Sequence, residues 1–357
     1  MNILVFFIIL IILVLIHEFG HFIAAKKSGV RVDEFGFGFP PRLFGIKIGE
    51  TIYSINLIPL GGFVKLYGEE YKQLPGTTAI TDKNRAFAYK KPRQKAVIIV
   101  SGVIMNFILG WALFSFLLTQ GVLTPTGKVT IERVQPNSPA GAAGLSKSDV
   151  LVLIKKDGKE YMLKSSQDLV TLTKKFADEP IVLVVVSGKI KKEVTLTPRK
   201  KPPAGQGPLG IAITSSFVEK RYPWYQAPYY GLIEAFNITK HIVTELTKTL
   251  FQLTTLQKPN VEVTGPVGIA QFTGEAMKFG KNAVLELMAL LSLNLAVINI
   301  FPFPALDGGR LVFVFYEWTT KKRVNEKLEN MLNLFGFVLL ITLAAVITVN
   351  DIMKLYK

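Results

Sequence analysis

Cysteine is absent from the 357 residues, and histidine occurs only three times. Without thiols no disulfide can form, and a zinc site has only imidazole and carboxylate donors to draw on. Acidic residues are scarce as well: 26 Asp and Glu stand against 42 Lys and Arg, a net charge of +16. That balance would suit a nucleic-acid binder, but the Lys and Arg are scattered, flank apolar runs and form no nucleic-acid motif. Attraction to anionic lipid headgroups explains their placement, and nucleic acid is not an expected partner. Charge is missing altogether from residues 2–16, which are almost wholly Ile, Leu, Val and Phe. A positive leader region and an A-x-A-like cleavage site are missing too, so the expectation is a retained membrane helix over about residues 2–25 rather than a cleaved signal. The chain is 49% hydrophobic, and several apolar runs are long enough to cross a bilayer.

What is present, inside the first of these runs, is His17-Glu18-Phe19-Gly20-His21. Residues four apart share a helix face, so the two imidazoles can meet one divalent cation, and Glu18 reaches the same space. Two His ligands and a Glu as general base is the H-E-x-x-H arrangement for Zn²⁺. The alternative is a helix with a few polar residues on its packed side. Two His and a Glu at membrane depth cost several kcal/mol unless they face a partner or a cavity, which favours the metal.

Lys26 and Lys27 close the first span. Residues 31–68 alternate apolar and polar side chains around Gly49-Glu50, the pattern of hairpins. The stretch is too apolar for a solvated loop. Either it dips into the membrane beside the metal box or it forms a small sheet at the interface. The second span covers about 96–118, with Gly102 and Asn106 on adjacent turns, either as ordinary packing or as the face that meets the metal-bearing helix. Between these spans, residues 26–95 hold 13 Lys and Arg against 6 Asp and Glu. The positive-inside rule places that side in the cytoplasm and the N-terminus outside.

Residues 126–200 read as a β-rich domain, with strands at 128–134, 150–155, 181–187 and 191–196 and a helix over 166–176 capped by Ser166. Residues 201–281 read as a linker, a long amphipathic helix over 222–256 lying on the outer membrane surface or on the β-rich domain, and a loop at Gly265-Pro266-Val267-Gly268. His241 falls on that helix at a solvated position. A third span covers 282–301 and a fourth 331–349. Pro302 and Pro304 break the third and put Asp307 on irregular backbone near the inner face. A carboxylate there is the third protein ligand the box lacks, since a catalytic zinc keeps three ligands and one open position. The fold class expected is a polytopic α-helical membrane protein, with four transmembrane helices, a membrane-associated β-hairpin region and an inserted β-rich domain.

The block Pro136-Asn137-Ser138-Pro139-Ala140-Gly141-Ala142-Ala143-Gly144-Leu145, with Ser148-Asp149-Val150-Leu151, resembles a bacterial PDZ domain, which binds peptide ends by strand addition. A spacer domain is the plainer reading. Taken with the metal box, the Gly102/Asn106 pair and Asn299-x-x-Pro302-x-Pro304-x-Leu306-Asp307-Gly308, nearly the whole chain resembles the site-2 protease family of intramembrane metalloproteases, most of all its regulator-of-sigma-E protease subfamily. The resemblance implies zinc on His17, His21 and Asp307, Glu18 as base, and Asn294 and Asn299 as residues that hold substrate backbone. It also implies that the 31–68 region adds a strand to an unwound substrate. The implied substrate is a single-span membrane protein already trimmed outside, an anti-sigma factor or a remnant signal peptide, cut within a bacterial inner membrane. Some members carry two PDZ domains in tandem, whereas this sequence holds one. Two rivals stand beside this reading. A non-catalytic scaffold would need no metal. A metal transporter would show repeated halves, and no internal repeat occurs.

Overall fold

The computed structural model describes residues 2–69, 80–163, 165–188, 190–203, 205–255 and 264–355. In chain order the elements are α1 (Asn2–Lys27), β1 (Val32–Ile48), β2 (Thr51–Leu66), α2 (Pro92–Gln120), β3 (Val122–Val134), α3 (Pro139–Ala142), β4 (Val150–Lys156), β5 (Lys159–Met162), α4 (Ser166–Lys175), β6 (Ile181–Ser187), β7 (Ile190–Leu196), β8 (Ile211–Lys220), α5 (Ala227–Thr254), α6 (Pro266–Phe279), α7 (Lys281–Ile300), α8 (Asp307–Thr320) and α9 (Glu326–Leu355). They form two compact units, residues 120–222 and the remainder.

Four helices, α1, α2, α7 and α9, are long and apolar enough to cross a membrane, so the chain is a multi-pass membrane protein. Large apolar side chains on them face outward, among them Leu4, Ile104, Leu334 and Phe335, as lipid-facing surfaces require. Small residues let the helices approach. A Cβ on Gly20 of α1 would lie 2.3 Å from the Ser101 carbonyl oxygen of α2, and one on Gly110 of α2 would lie 2.6 Å from Leu293 of α7. Ile9, Leu13 and Met288 form the core between α1 and α7.

The 31–68 region folds more tightly than a hairpin. Residues 42–48 pair antiparallel with 51–56 around the Gly49-Glu50 turn, and residues 32–37 pair antiparallel with 62–66. Between them Glu34 to Phe37 run alongside Ile52 to Ile55 in ascending register. Each strand therefore bends midway, and four segments lie side by side, with 62–66 at one border. Gly38, at φ +82, allows the bend; its missing Cβ would stand 2.7 Å from the Ile58 carbonyl oxygen. Leu43, Phe44, Ile46 and Ile48 on the other border are exposed, an apolar rim of the kind a membrane covers.

One element differs from the sequence expectation within this unit. The Gly265–Gly268 stretch opens a helix, α6, with Pro266 in its first turn. Its N-terminal amides are held from the far end of the chain: Gly265 N and Gly268 N each donate to Asp351 Oδ2 of α9 at 2.9 Å. No local pattern carries that partner. The long helix α5 lies along spanning helices: Trp111 Nε1 of α2 donates to the Pro228 carbonyl at 2.8 Å, and Phe107 meets Phe236 at 5.1 Å.

The unit at residues 120–222 is a six-stranded antiparallel sheet in the order β7-β6-β4-β3-β8, with β5 paired to β4. Alternating residues of its strands, Val129, Ile131, Leu151, Leu183 and Val185, bury one face beneath Leu169 and Phe176. The cap of α4 is Ser165, one residue before the Ser166 expected: its hydroxyl accepts from Asp168 N at 3.1 Å while the Asp168 carboxylate accepts from Ser165 N at 2.9 Å, a reciprocal capping box. Strand β8, in a stretch read as linker, closes one border of the sheet.

Candidate metal centre

The site begins with helical spacing. Four residues apart on α1, His17 and His21 bring their Nε2 atoms to 3.2 Å of each other. The third participant comes from nearly 300 residues away, and its position has local causes. The chain leaves α7 at Phe301 and turns through Ala305, at φ +73, and Asp307 then opens α8. Asp307 therefore stands in the first turn of a helix, not on irregular backbone as expected, where the positive end of the helix dipole favours a carboxylate. The two glycines that follow are sterically required: a Cβ on Gly308 would lie 2.1 Å from the Phe301 carbonyl oxygen, and one on Gly309 would lie 2.3 Å from that of Phe303. Asp307 Oδ2 sits 3.1 Å from His17 Nε2 and 3.2 Å from His21 Nε2.

These three atoms fit one cation. Tetrahedral bonds of about 2.0–2.1 Å hold neighbouring donors roughly 3.3–3.4 Å apart, close to the separations here. Asp307 Oδ2 is buried and accepts no well-aimed hydrogen bond, although two imidazole nitrogens stand beside it. Such a cluster of converging lone pairs is costly without an ion among them. His21 is already set for ligation: its Nδ1 lies 2.8 Å from the Ile98 carbonyl, so that nitrogen carries the proton and leaves Nε2 bare. Gly102 of α2 makes room for the pair, since a Cβ there would lie 2.4 Å from His21 Nε2 and 2.8 Å from His17 Cε1.

A cavity of about 420 Å³ opens onto these groups. Glu18 lines it, as do Gly62 to Leu66 of β2, Glu69, Phe87, Ile98, Ile99 and Arg310. The strand passes close over α1: a Cβ on Gly62 would touch Val14 at 2.9 Å and Glu18 Cγ at 3.0 Å. Arg310, one turn beyond Asp307, is ion-paired with Glu69 across the cavity. Sequence reasoning missed both. Arg310 had a signal, its i+3 spacing from Asp307 on a helix; Glu69 had none. Asn294 and Asn299, on α7, do not line the cavity. Asn294 Nδ2 donates to the Leu290 carbonyl of its own helix at 3.0 Å, and Asn299 is half-buried. His241 is exposed on α5.

Two imidazoles and two carboxylates facing one cavity are the equipment of a metal-dependent hydrolase. Comparison with known proteins agrees. The family model described as peptidase family M50 matches residues 5–343. A full-length relative in Clostridium perfringens is 33% identical over 341 residues, 95% of each chain. The protein named zinc metalloprotease RasP of Geobacillus kaustophilus is 30% identical over an alignment of 427 residues, 99% of this chain and 98% of its own. The regulator of sigma-W protease RasP of Bacillus subtilis is 28% identical over 429, with 99% of both covered. With the model matching almost from end to end, the chain belongs to peptidase family M50.

Proposed function

We propose that the chain is a zinc-dependent intramembrane endopeptidase that cuts a peptide bond within the transmembrane segment of a pre-trimmed single-span protein. The observation that carries this is the meeting of His17, His21 and Asp307 within 4.8 Å, in a bundle of membrane-spanning helices, with Glu18 lining the same cavity. His17 Nε2, His21 Nε2 and Asp307 Oδ2 would hold the zinc, which would supply Lewis acidity and lower the pKa of a water toward neutrality. Glu18 takes a proton from the attacking water and passes it to the leaving amine.

A peptide bond in a helix is shielded by its own hydrogen bonds, so the substrate must open locally. Residues 62–66 support a role for the β region in this. They pair on one side with 32–37, among the described residues no strand pairs with their other side, and all five line the cavity. An opened substrate segment adds there as a strand. Asn294 and Asn299 contact its backbone, a role that rests on the family likeness. The unit at 120–222 acts as a PDZ-like domain that takes a peptide end, with β8 as the accepting strand beside α4; its antiparallel sheet and bordering β8 support that reading. The substrate class proposed is an anti-sigma factor or a remnant signal peptide; the name of the Bacillus subtilis relative, regulator of sigma-W protease RasP, ties that relative to a sigma factor and so favours the first. The protein lies in a bacterial inner membrane, with its N-terminus and the 120–222 unit outside the cytoplasm, as the basic 26–95 segment supports.

Co-expression with tagged single-span proteins tests this. The wild-type chain cleaves at least one of them within its span. Glu18→Gln lowers the cleavage rate by about 10²–10⁴-fold, the usual worth of a general base, while its zinc content stays at the wild-type level. Full proteolysis by Glu18→Gln would remove Glu18 as the base.

A further inference from the structure

The side chain of Asn106 is completely buried on α2, facing the ring of His17. Its Nδ2 lies 3.4 Å from His17 Nδ1, and its Oδ1 has no partner among the described residues. With Nδ2 toward the ring, Asn106 donates to Nδ1 and the single proton of a neutral His17 sits on Nε2. That tautomer points its N–H at Asp307 and His21 and cannot ligate a cation. A half-turn about the Cβ–Cγ bond exchanges oxygen and nitrogen without moving the backbone. Oδ1 then accepts from Nδ1–H and the Nε2 lone pair is free. One amide atom stays unpaired in either orientation, so the choice is decided at the histidine.

We infer that Asn106 is the positioning residue for His17: with zinc bound, its Oδ1 accepts the Nδ1–H bond that fixes the ligating tautomer and aims the ring. The Ile98 carbonyl performs the same task for His21, so one helix, α2, sets both imidazoles. Its neighbours hold the amide in place. The Ser292 hydroxyl of α7 donates to the Asn106 backbone carbonyl at 2.7 Å, and Gly102 and Gly110, one turn on either side, let α1 and α7 close upon it. Along α2 the order is reversed relative to α1: Ile98, the earlier residue, meets His21, and Asn106, the later one, meets His17, the pairing that two helices running in opposite directions give.

The inference rests on His17 being a zinc ligand, and the test separates the two. Full-length protein labelled with ¹⁵N-histidine contains three imidazoles, of which His241 is exposed on α5 and does not line the cavity. Zinc affinity is read by competition with a chelator, and the His17 tautomer from its ring nitrogens. Asn106→Asp can accept but not donate. It keeps wild-type or tighter affinity and a protonated Nδ1. Asn106→Leu binds zinc about 10–100-fold more weakly, the usual effect of losing a ligand's orienting partner. Loss of affinity in Asn106→Asp, or a bare Nδ1 in the zinc-loaded wild type, overturns the inference. Should Asn106→Leu fail to fold, Asn106→Asp still decides. A wild-type protein without zinc would instead sink the underlying site reading.

Discussion

The metal centre is governed by atoms that are not there as much as by those that are. Gly102 carries no ligand and no proton, yet its missing Cβ is the space the two imidazoles occupy. We predict that Gly102→Ala destabilises the fold by about 1–3 kcal/mol through overpacking and displaces an imidazole, with zinc content falling below one per chain by elemental analysis. A fully zinc-loaded Gly102→Ala of unchanged thermal stability would contradict this. The same scale explains what was readable in advance. His17, Glu18 and His21 declare themselves by helical spacing, and Asp307 by being a carboxylate just beyond two helix-breaking prolines. Glu69 and the Ile98 carbonyl stayed hidden, because a backbone oxygen has no residue signature and an ion pair across 241 residues leaves no local pattern.

Among the elements, the bent β region is the one whose sequence pattern understated it. Alternation and the Gly49-Glu50 turn show a hairpin, but the folding-back of both strands depends on a bend at Gly38 that periodicity does not encode. Its turn is tied to α1 by charge: Glu50 accepts from Lys26 at 2.9 Å and from Arg85 at 2.6 Å. The Arg85 guanidinium, with Lys26, holds the Glu50 carboxyl below its ordinary pKa. A carboxylate depressed on folding contributes stability above its unfolded pKa of about 4.3, and that contribution fades as pH falls through the lower folded value. Wild type should therefore melt above Glu50→Gln at neutral pH, with the gap closing below about pH 4. A gap that is constant with pH would rule out the charged tie. Helix α6 was misread for a related reason. Its N-terminal partner, Asp351, lies in the last helix, so Gly-Pro-Val-Gly looks like a loop until residues more than 80 positions apart are seen together.

For the whole molecule, the four spans were legible from hydropathy and length, because a bilayer demands long, uninterrupted apolar helices. Strand β8 was not, since a border strand following a Pro- and Gly-rich stretch reads as more of the same linker. The orientation proposed from the basic 26–95 segment is directly measurable, because the chain lacks cysteine. Asp157→Cys, in the exposed turn after β4, should react with an impermeant maleimide from outside the cell; Lys322→Cys, after α8, should react only once the membrane is opened. The reverse pattern would invert the topology.

The central claim is that α1 and the start of α8 meet around one zinc. X-ray absorption at the zinc edge of the purified full-length protein tests it most directly. The account predicts one zinc per chain with two imidazoles and one carboxylate oxygen at about 2.0–2.1 Å, and loss of the zinc in Asp307→Ala. A spectrum lacking the imidazole pair, or an Asp307→Ala variant with an unchanged spectrum and zinc content, would contradict it.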